Sequence, residues 1–396
     1  MSYYLFPCIL TPLNQEDFLL KFHDERSKEP IINHSLRAYL SNAKKEINKC
    51  GSQWDTYKKY TNPYEYIHTN VPGFRSAICK YKPLSRSYFK MIEILRSLYI
   101  LEPFSSTKIQ TFHLAEGPGG FIEAVCNTRG NESDSYHGMT LMSDKDYVPG
   151  WKKSQEYLSL HSNIVLEYGS DATGNIMNPD NLRYVHSKYA NSMELVTGDG
   201  GFDFSVNFNE QEASASRLIL AQILYAILLQ KQGGSFVIKF FDIFTSASVD
   251  FTYLLSSFYR KVYVIKPNTS RYANSERYLV CKGFRQDDTS YLVDTFSRML
   301  DDINSSEQPI LRVLKRDIPY LFISKLEEYN AILGQQQIEV INSTLNMVRN
   351  LAKPEKTELL KKTNINRCIQ WCVKNKQPYI KGPPQSNIFL QSSSMC

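Results

Sequence analysis

Between residues 109 and 284 short apolar runs alternate with longer helical ones, and this alternation limits the fold more than any other feature of the chain. "IQTFHLA" reads as a strand, "EGPGG" as a glycine turn and "FIEAVCN" as the helix behind it. "YHGMTLM" is a second short apolar run, and "SMELVTGDGG" is a strand that ends in another glycine turn. A long helix, "SASRLILAQILYAILLQKQGG", is expected to stop at Gly233-Gly234. The strand "SFVIKFF", a helix to about 258 and the strands "KVYVIKP" and "ERYLVCKGF" follow. Strands and helices in this order predict an α/β fold, with a mostly parallel sheet covered on both faces.

The flanks read differently. Residues 1–80 are polar and Lys/Tyr-rich, helical around 34–49 and irregular through "NPYEYIHTNVPGF". "SRSYFKMIEILRSLYI" (85–100) has helical spacing, with Tyr88, Phe89, Ile92, Leu95 and Tyr99 on one apolar face and Lys90 directed away from it. Beyond 285 three stretches show three-four spacing, and "GPPQSNIFLQSSSMC" is a loose tail. The expected division is 1–80 as an N-terminal helical or irregular segment, 81–285 as the α/β domain, 286–380 as a helical extension and 381–396 as a tail.

Composition narrows the class. Apolar residues make up 42% of the chain, ample for a core. With 46 basic and 40 acidic residues the net charge is +6, compatible with an RNA groove without being diagnostic of one. Eight cysteines form no CxxC pair, so reduced thiols are expected, and the seven histidines are scattered, so no metal is expected. The N-terminus lacks a basic, then apolar, leader pattern, and "LILAQILYAILL" at 12 residues is short for a bilayer. A soluble protein without membrane partners is the expectation. No basic localisation run is visible, which favours the cytoplasm, with the nucleus as the alternative.

Three charged residues stand at strand ends. Asp199 follows "ELVTG", Lys239 ends "SFVIK", and Glu276 opens the last strand. In open α/β sheets ligands bind beyond the carboxyl ends of the parallel strands. Glu276 reaches that edge only if its strand runs antiparallel to the others. Taken singly, each residue has a plain reading: a turn aspartate, a lysine reaching to solvent, a solvated loop-end glutamate. The glycine turn alone is equally a tight strand–helix connection. It lacks both the dinucleotide fingerprint and GxxxxGK[ST].

Taken together, the motifs resemble the FtsJ-like ribose 2′-O-methyltransferases, most closely the eukaryotic and viral mRNA cap enzymes of that family. The stretches that carry the likeness are "NPYEYI" (62–67), "SRSYFKM" (85–91), "GPGGF" (117–121), "GMTL" (138–141), "DGGF" (199–202), "GGSFVIKFFDIFT" (233–245) and "SRYANSERYLVCKG" (270–283). The resemblance implies a Rossmann-like methyltransferase sheet, mostly parallel with its last strand antiparallel, and helical additions at both ends. It implies a Lys-Asp-Lys-Glu tetrad of Lys90, Asp199, Lys239 and Glu276, in which Asp199 and Glu276 orient the Lys239 amine. A free lysine amine, with a pKa of ~10.4, is almost wholly protonated at neutral pH, so a base of this kind depends on its neighbours.

The resemblance also implies S-adenosylmethionine as cofactor. Its amino-acid end is expected against Glu116, Gly117, Pro118, Gly119, Gly120 and Phe121, with Asp199 nearby. Glu116 stands where relatives often have Ala. The adenine is expected at "GSDATGNIMNPDNL" (169–182), through Asp171, Asn175 and Ile176, with the Asn175 carbonyl replacing the usual Asp. Capped RNA is the implied substrate, with other capping or transcription components as partners. Lys58, Lys59, Glu210, Arg271, Asn274 and Ser275 are the candidate RNA or cap contacts. Two alternatives stay open: the same chemistry on ribosomal or transfer RNA, and a catalytically silent RNA-binding scaffold of the same fold.

Overall fold

The computed structural model describes residues 2–23, 32–143, 145, 148–201, 211–351 and 353–381. The chain divides into two compact units, each assembled from separated stretches. The first comprises Met1–Lys49 and Pro83–Asn342, the second Cys50–Lys82 and Ser343–Cys396.

Among the described residues the first unit has ten strands. In chain order they are β1 (Ser2–Leu5), β2 (Phe18–Phe22), β3 (Gln110–Leu114), β4 (Ser135–Met139) and β5 (Ile164–Glu167). Then come β6 (Met193–Gly198), β7 (Gln230–Phe240), β8 (Tyr259–Lys266), β9 (Arg277–Phe284) and β10 (Ile310–Leu314). Eight of them form one sheet in the order β1-β8-β9-β7-β6-β3-β4-β5. The neighbours from β7 through β5 are parallel, while β9 lies between β7 and β8 and is antiparallel to both. The reversed last strand required by Glu276 is present.

The chain leaves β3 for β4 and β5 on one side, then returns to β6 on the other. The sheet therefore has its switch point between β3 and β6, where open α/β sheets form a crevice at the strand ends. The register of β7 with β9 pairs Phe240 with Arg277 and Lys239 with Tyr278. This brings the start of β9 level with the end of β7.

Alternation along β7 sorts its side chains. Phe236, Ile238 and Phe240 join the main core cluster with helices 211–229 and 246–258. Lys239 falls on the opposite face, beside its partner Tyr278. Phe121, in helix Gly120–Arg129, packs on Tyr278 with ring centroids 6.0 Å apart, so that face is the one this helix covers. Helix Gln211–Leu229 is long and apolar enough to cross a membrane by length and composition, but here most of its residues lie buried in the core.

Several elements depart from the expectation. The 211–229 helix ends before the glycine pair: Gln230 already belongs to β7, its amide donating to Met193 O (2.7 Å) and accepting from the Tyr259 hydroxyl (3.0 Å). The first 80 residues supply strands as well as helix: β1 extends the sheet against β8, and β2 pairs with β10 from the segment expected to be all helical. Short strands whose partners lie roughly 260 to 300 residues away leave little local pattern. Helix Ser87–Ser97 is buried all round from Tyr88 to Leu95, whereas Tyr99 lies beyond its end and is exposed.

The second unit holds helices Ser52–Thr61 and Pro354–Lys374 and a bridge between Cys79 and Tyr379. "NPYEYI" supplies its core: Tyr66 and Ile67 are fully buried, and Asn62 donates to Glu65 at 2.5 Å. Asn364 Nδ2 donates to Tyr60 O (2.8 Å), tying the two helices. Cys368 and Cys372 are buried free thiols, in keeping with a packing role.

Candidate active site

All four tetrad candidates come to one edge of the sheet. Asp199 follows β6, Lys239 is the penultimate residue of β7, Glu276 immediately precedes β9, and Lys90 reaches in from helix Ser87–Ser97. The pairing differs from the expectation. Glu276 Oε2 accepts from Lys90 Nζ at 2.7 Å, whereas Lys239 Nζ donates to Asp199 O (2.5 Å) and lies 3.4 Å from Asp199 Oδ1. The lysine that Glu276 holds is Lys90. Cross-strand register explains this: Lys239 projects beside Tyr278, whose hydroxyl donates to Asp199 Oδ1 (3.2 Å), and Glu276 lies two residues further toward the helix that carries Lys90.

The charges are buried and interdependent. Burial disfavours the Glu276 carboxylate, but Lys90, Lys239 and Lys266 together overcome this and hold it well below the usual range. Burial lowers the Lys90 ammonium, with Glu276 opposing and Arg86 adding to the shift. Glu276 Oε1 is buried and has no hydrogen-bond partner. Such a set of two amines and two carboxylates can orient a hydroxyl and take up its proton.

The glycine turn follows β3, beside the β6 end that carries Asp199, and both Asp199 and Lys239 act electrostatically on its Glu116. Gly119 has φ +107°, a region open to glycine, and begins helix Gly120–Arg129. Glu116 caps that helix from within: its Oε1 accepts from Phe121 N (2.6 Å) and Ile122 N (3.2 Å), two amides otherwise unpaired at a helix start. Burial, reinforced by Asp199, pushes the Glu116 carboxyl well above the usual range, and Oε2 is left buried without a partner. Gly117, Pro118 and Gly120 complete the turn, and Phe121 is fully buried.

The candidate adenine loop folds over the end of β4. Met142 N donates to Thr173 O (2.7 Å), and at Gly174 a Cβ would run into Thr140 O. Asp171 is used within the loop, accepting from Thr173 N (3.0 Å), Thr173 Oγ1 (2.7 Å), Asn178 Nδ2 (2.7 Å) and Asn181 Nδ2 (2.9 Å). Asn175 Oδ1 accepts from Met177 N (3.0 Å), which leaves it one further lone pair. Ile176 is buried in the core cluster.

The RNA candidates are divided between the two units. Lys58, which pairs with Asp55, and Lys59 belong to the second unit. Glu210 lies outside the described residues. Arg271 and Asn274 are partly buried, and Asn274 Oδ1 accepts from Lys266 Nζ (2.6 Å). Ser275 is only 1% exposed, its hydroxyl donating to Asp242 Oδ2 (2.8 Å) and accepting from Lys44 Nζ (2.7 Å), so it supports the surface from beneath.

Sequence reasoning passed over several residues that shape the edge. Gln222, the one amide within "LILAQILYAILL", accepts from Gly200 N (3.1 Å) and so fixes the turn after Asp199. Glu93, three residues after Lys90, accepts from Asn268 N (2.9 Å) and from Thr269 N and Oγ1 (both 3.2 Å). A polar residue inside an apolar run was the available signal in both cases.

Residues 83–284, just over half the chain, match the FtsJ-like methyltransferase family. The chain belongs to that family. Similar proteins include cap-specific mRNA (nucleoside-2′-O-)-methyltransferase 1 of Drosophila melanogaster, 32% identical over 66% of this chain and 33% of its own length. The protein of the same name from Dictyostelium discoideum is 29% identical over 75% of this chain and 41% of its own length. The inactive cap-specific mRNA (nucleoside-2′-O-)-methyltransferase 1B of Caenorhabditis briggsae is 28% identical over 66% of this chain and 32% of its own length. This FtsJ-like chain thus covers 32–41% of the length of these relatives.

Proposed function

We propose that this FtsJ-like protein methylates the ribose 2′-hydroxyl of a cap-proximal nucleotide in capped RNA, with S-adenosylmethionine as methyl donor. The observation that carries this reading is the meeting of Lys90–Glu276 and Lys239–Asp199 at the switch-point edge, within a domain of this family. The names of its relatives point to the cap as the substrate class.

The residues at the glycine turn fit the donor. Gly119 takes φ +107°, a backbone that favours glycine, and the unpartnered Glu116 Oε2 offers a buried group to the polar amino-acid end of a ligand. When bound, S-adenosylmethionine supplies an electrophilic methyl on a sulfonium. In this reading the Lys239 amine orients the ribose hydroxyl and takes its proton, while Asp199 holds that amine in place. Lys90 adds positive charge beside the developing oxyanion, and Glu276 fixes Lys90.

Methyl transfer from radiolabelled S-adenosylmethionine to a short RNA tests the proposal, with methylguanosine-capped and triphosphate-ended forms compared and the labelled nucleotide mapped by nuclease. Label at a cap-proximal ribose on the capped RNA alone is the expected result. Equal transfer to both RNAs would point to another RNA substrate. Donor binding without any transfer would place the chain beside its inactive relative.

A further inference from the structure

The loop from Asn268 to Arg277, which carries Glu276, is held at nearly every residue. Glu93 captures its first two amides, and Gln337 Nε2 donates to Ala273 O (3.1 Å). Asp242 meets Ser275 (2.8 Å) and Arg277 (3.3 Å), with Lys44 at 2.8 Å on its other side. In the middle, Lys266 ends β8 and is only 5% exposed. Its Nζ donates to Asn274 O (2.7 Å), Asn274 Oδ1 (2.6 Å) and Glu276 O (2.6 Å).

We infer that Lys266 is a positioning residue for the active site, gathering Asn274 and Glu276 onto one buried ammonium so that the Glu276 carboxylate stays within reach of Lys90. Three acceptors around one nitrogen match the three N–H groups of an ammonium. An uncharged side chain here leaves buried carbonyls unsatisfied, and the loop relaxes toward water to repair them. Glu276 then moves with its own main chain, and the 2.7 Å contact with Lys90 is lost. Burial pushes the Lys266 amine down to about 7, with Glu276 opposing, while hydrogen bonds to three acceptors favour its charged form. The kinetic part of the inference rests on the methyl-transfer reading. The effect on the loop does not.

Lys266→Met and the milder Lys266→Gln test it, beside Lys282→Met as control. Lys282 is a strand lysine that donates to Leu98 O (2.6 Å) away from the tetrad. Hydrogen exchange, calorimetric binding of S-adenosylmethionine and steady-state transfer to capped RNA are measured on each protein. In both Lys266 variants, amide exchange across 270–276 is expected to rise about ten-fold or more, with β6 and β7 unchanged. kcat is expected to fall about ten-fold or more, with donor affinity and KM within about two-fold of parental. Lys282→Met should lower the melting temperature without changing kcat. Parental exchange across 270–276 in both Lys266 variants would overturn the inference, whatever the rates do, and so would a kcat equal to that of Lys282→Met. A parental protein inactive on capped RNA would sink the cap reading, and the exchange data would still decide the role of Lys266.

Discussion

Lys90 and Glu276 stand 186 positions apart in the chain and meet as an ion pair of 2.7 Å, with side chains 8% and 15% exposed. A pair this buried is costly to break from one side, because the remaining charge loses its compensation. The pair also joins helix Ser87–Ser97 to the loop before β9, since Glu93 of the same helix grips the start of that loop. One helix therefore sets both ends of the segment that presents Glu276.

Glu276→Gln keeps an acceptor for Lys90 and removes the charge. The expected result is a folded protein with a lowered melting temperature, whose methyl transfer is slower by about 10²-fold. Single-turnover transfer to capped RNA, with thermal melting alongside, checks this. Parental rates would remove the Glu276 carboxylate from the chemistry.

Lys239→Met removes the amine next to Asp199 O while conserving the stem of the side chain. Transfer is expected to vanish while S-adenosylmethionine binds within about two-fold of parental affinity. Calorimetric titration beside the transfer assay reads both halves. Residual parental activity would remove Lys239 from the role of base.

Gly119→Val places a β-branched residue at φ +107° with Leu84 Cδ1 3.3 Å from the new Cβ. Backbone strain of this kind costs roughly 1–3 kcal/mol. Gly130→Ala, at φ +56° with open space around it, controls for strain remote from the site. Donor affinity should fall about ten-fold or more in Gly119→Val and stay parental in Gly130→Ala, although both melt lower. Parental donor affinity in Gly119→Val would reduce the glycine turn to a structural feature.

Glu212 supplies a pH test of stability. Its Oε1 accepts from Phe244 N, Thr245 N (both 2.8 Å) and Thr245 Oγ1 (2.9 Å), and burial pushes its carboxyl up to about 7. The folded state thus keeps a proton that the unfolded chain releases near 4.5, so its contribution is complete below that pH and is lost as pH rises through about 7. The gap corresponds to about 3 kcal/mol. Glu212→Gln preserves the acceptor and cannot ionise. Its melting temperature relative to parental should therefore climb between pH 4.5 and 7.5, and a constant difference across that range would show Glu212 to titrate normally.

The sequence by itself determined the α/β alternation, the two glycine turns and the strand-end charges Asp199, Lys239 and Glu276. Those features are local: strand periodicity, turn chemistry and a charged residue at a strand end are all written within a dozen neighbours. The antiparallel β9 was implied by the family resemblance, and the position of Glu276 at its start agrees with it, since only a reversed strand brings Glu276 to the edge where Lys239 ends one. Which carboxylate holds which lysine was decided only in three dimensions, by the register of β7 with β9 and by the packing of helix Ser87–Ser97. The same holds for Lys266 and Gln222, whose partners lie 8 to 22 positions away around turns of the chain, and for β1, β2 and β10, which exist as strands through distant partners. A short polar side chain in an apolar run carries no record of the carbonyl or amide it will meet; burial in the finished fold supplies that partner, because an unpaired polar group there is expensive.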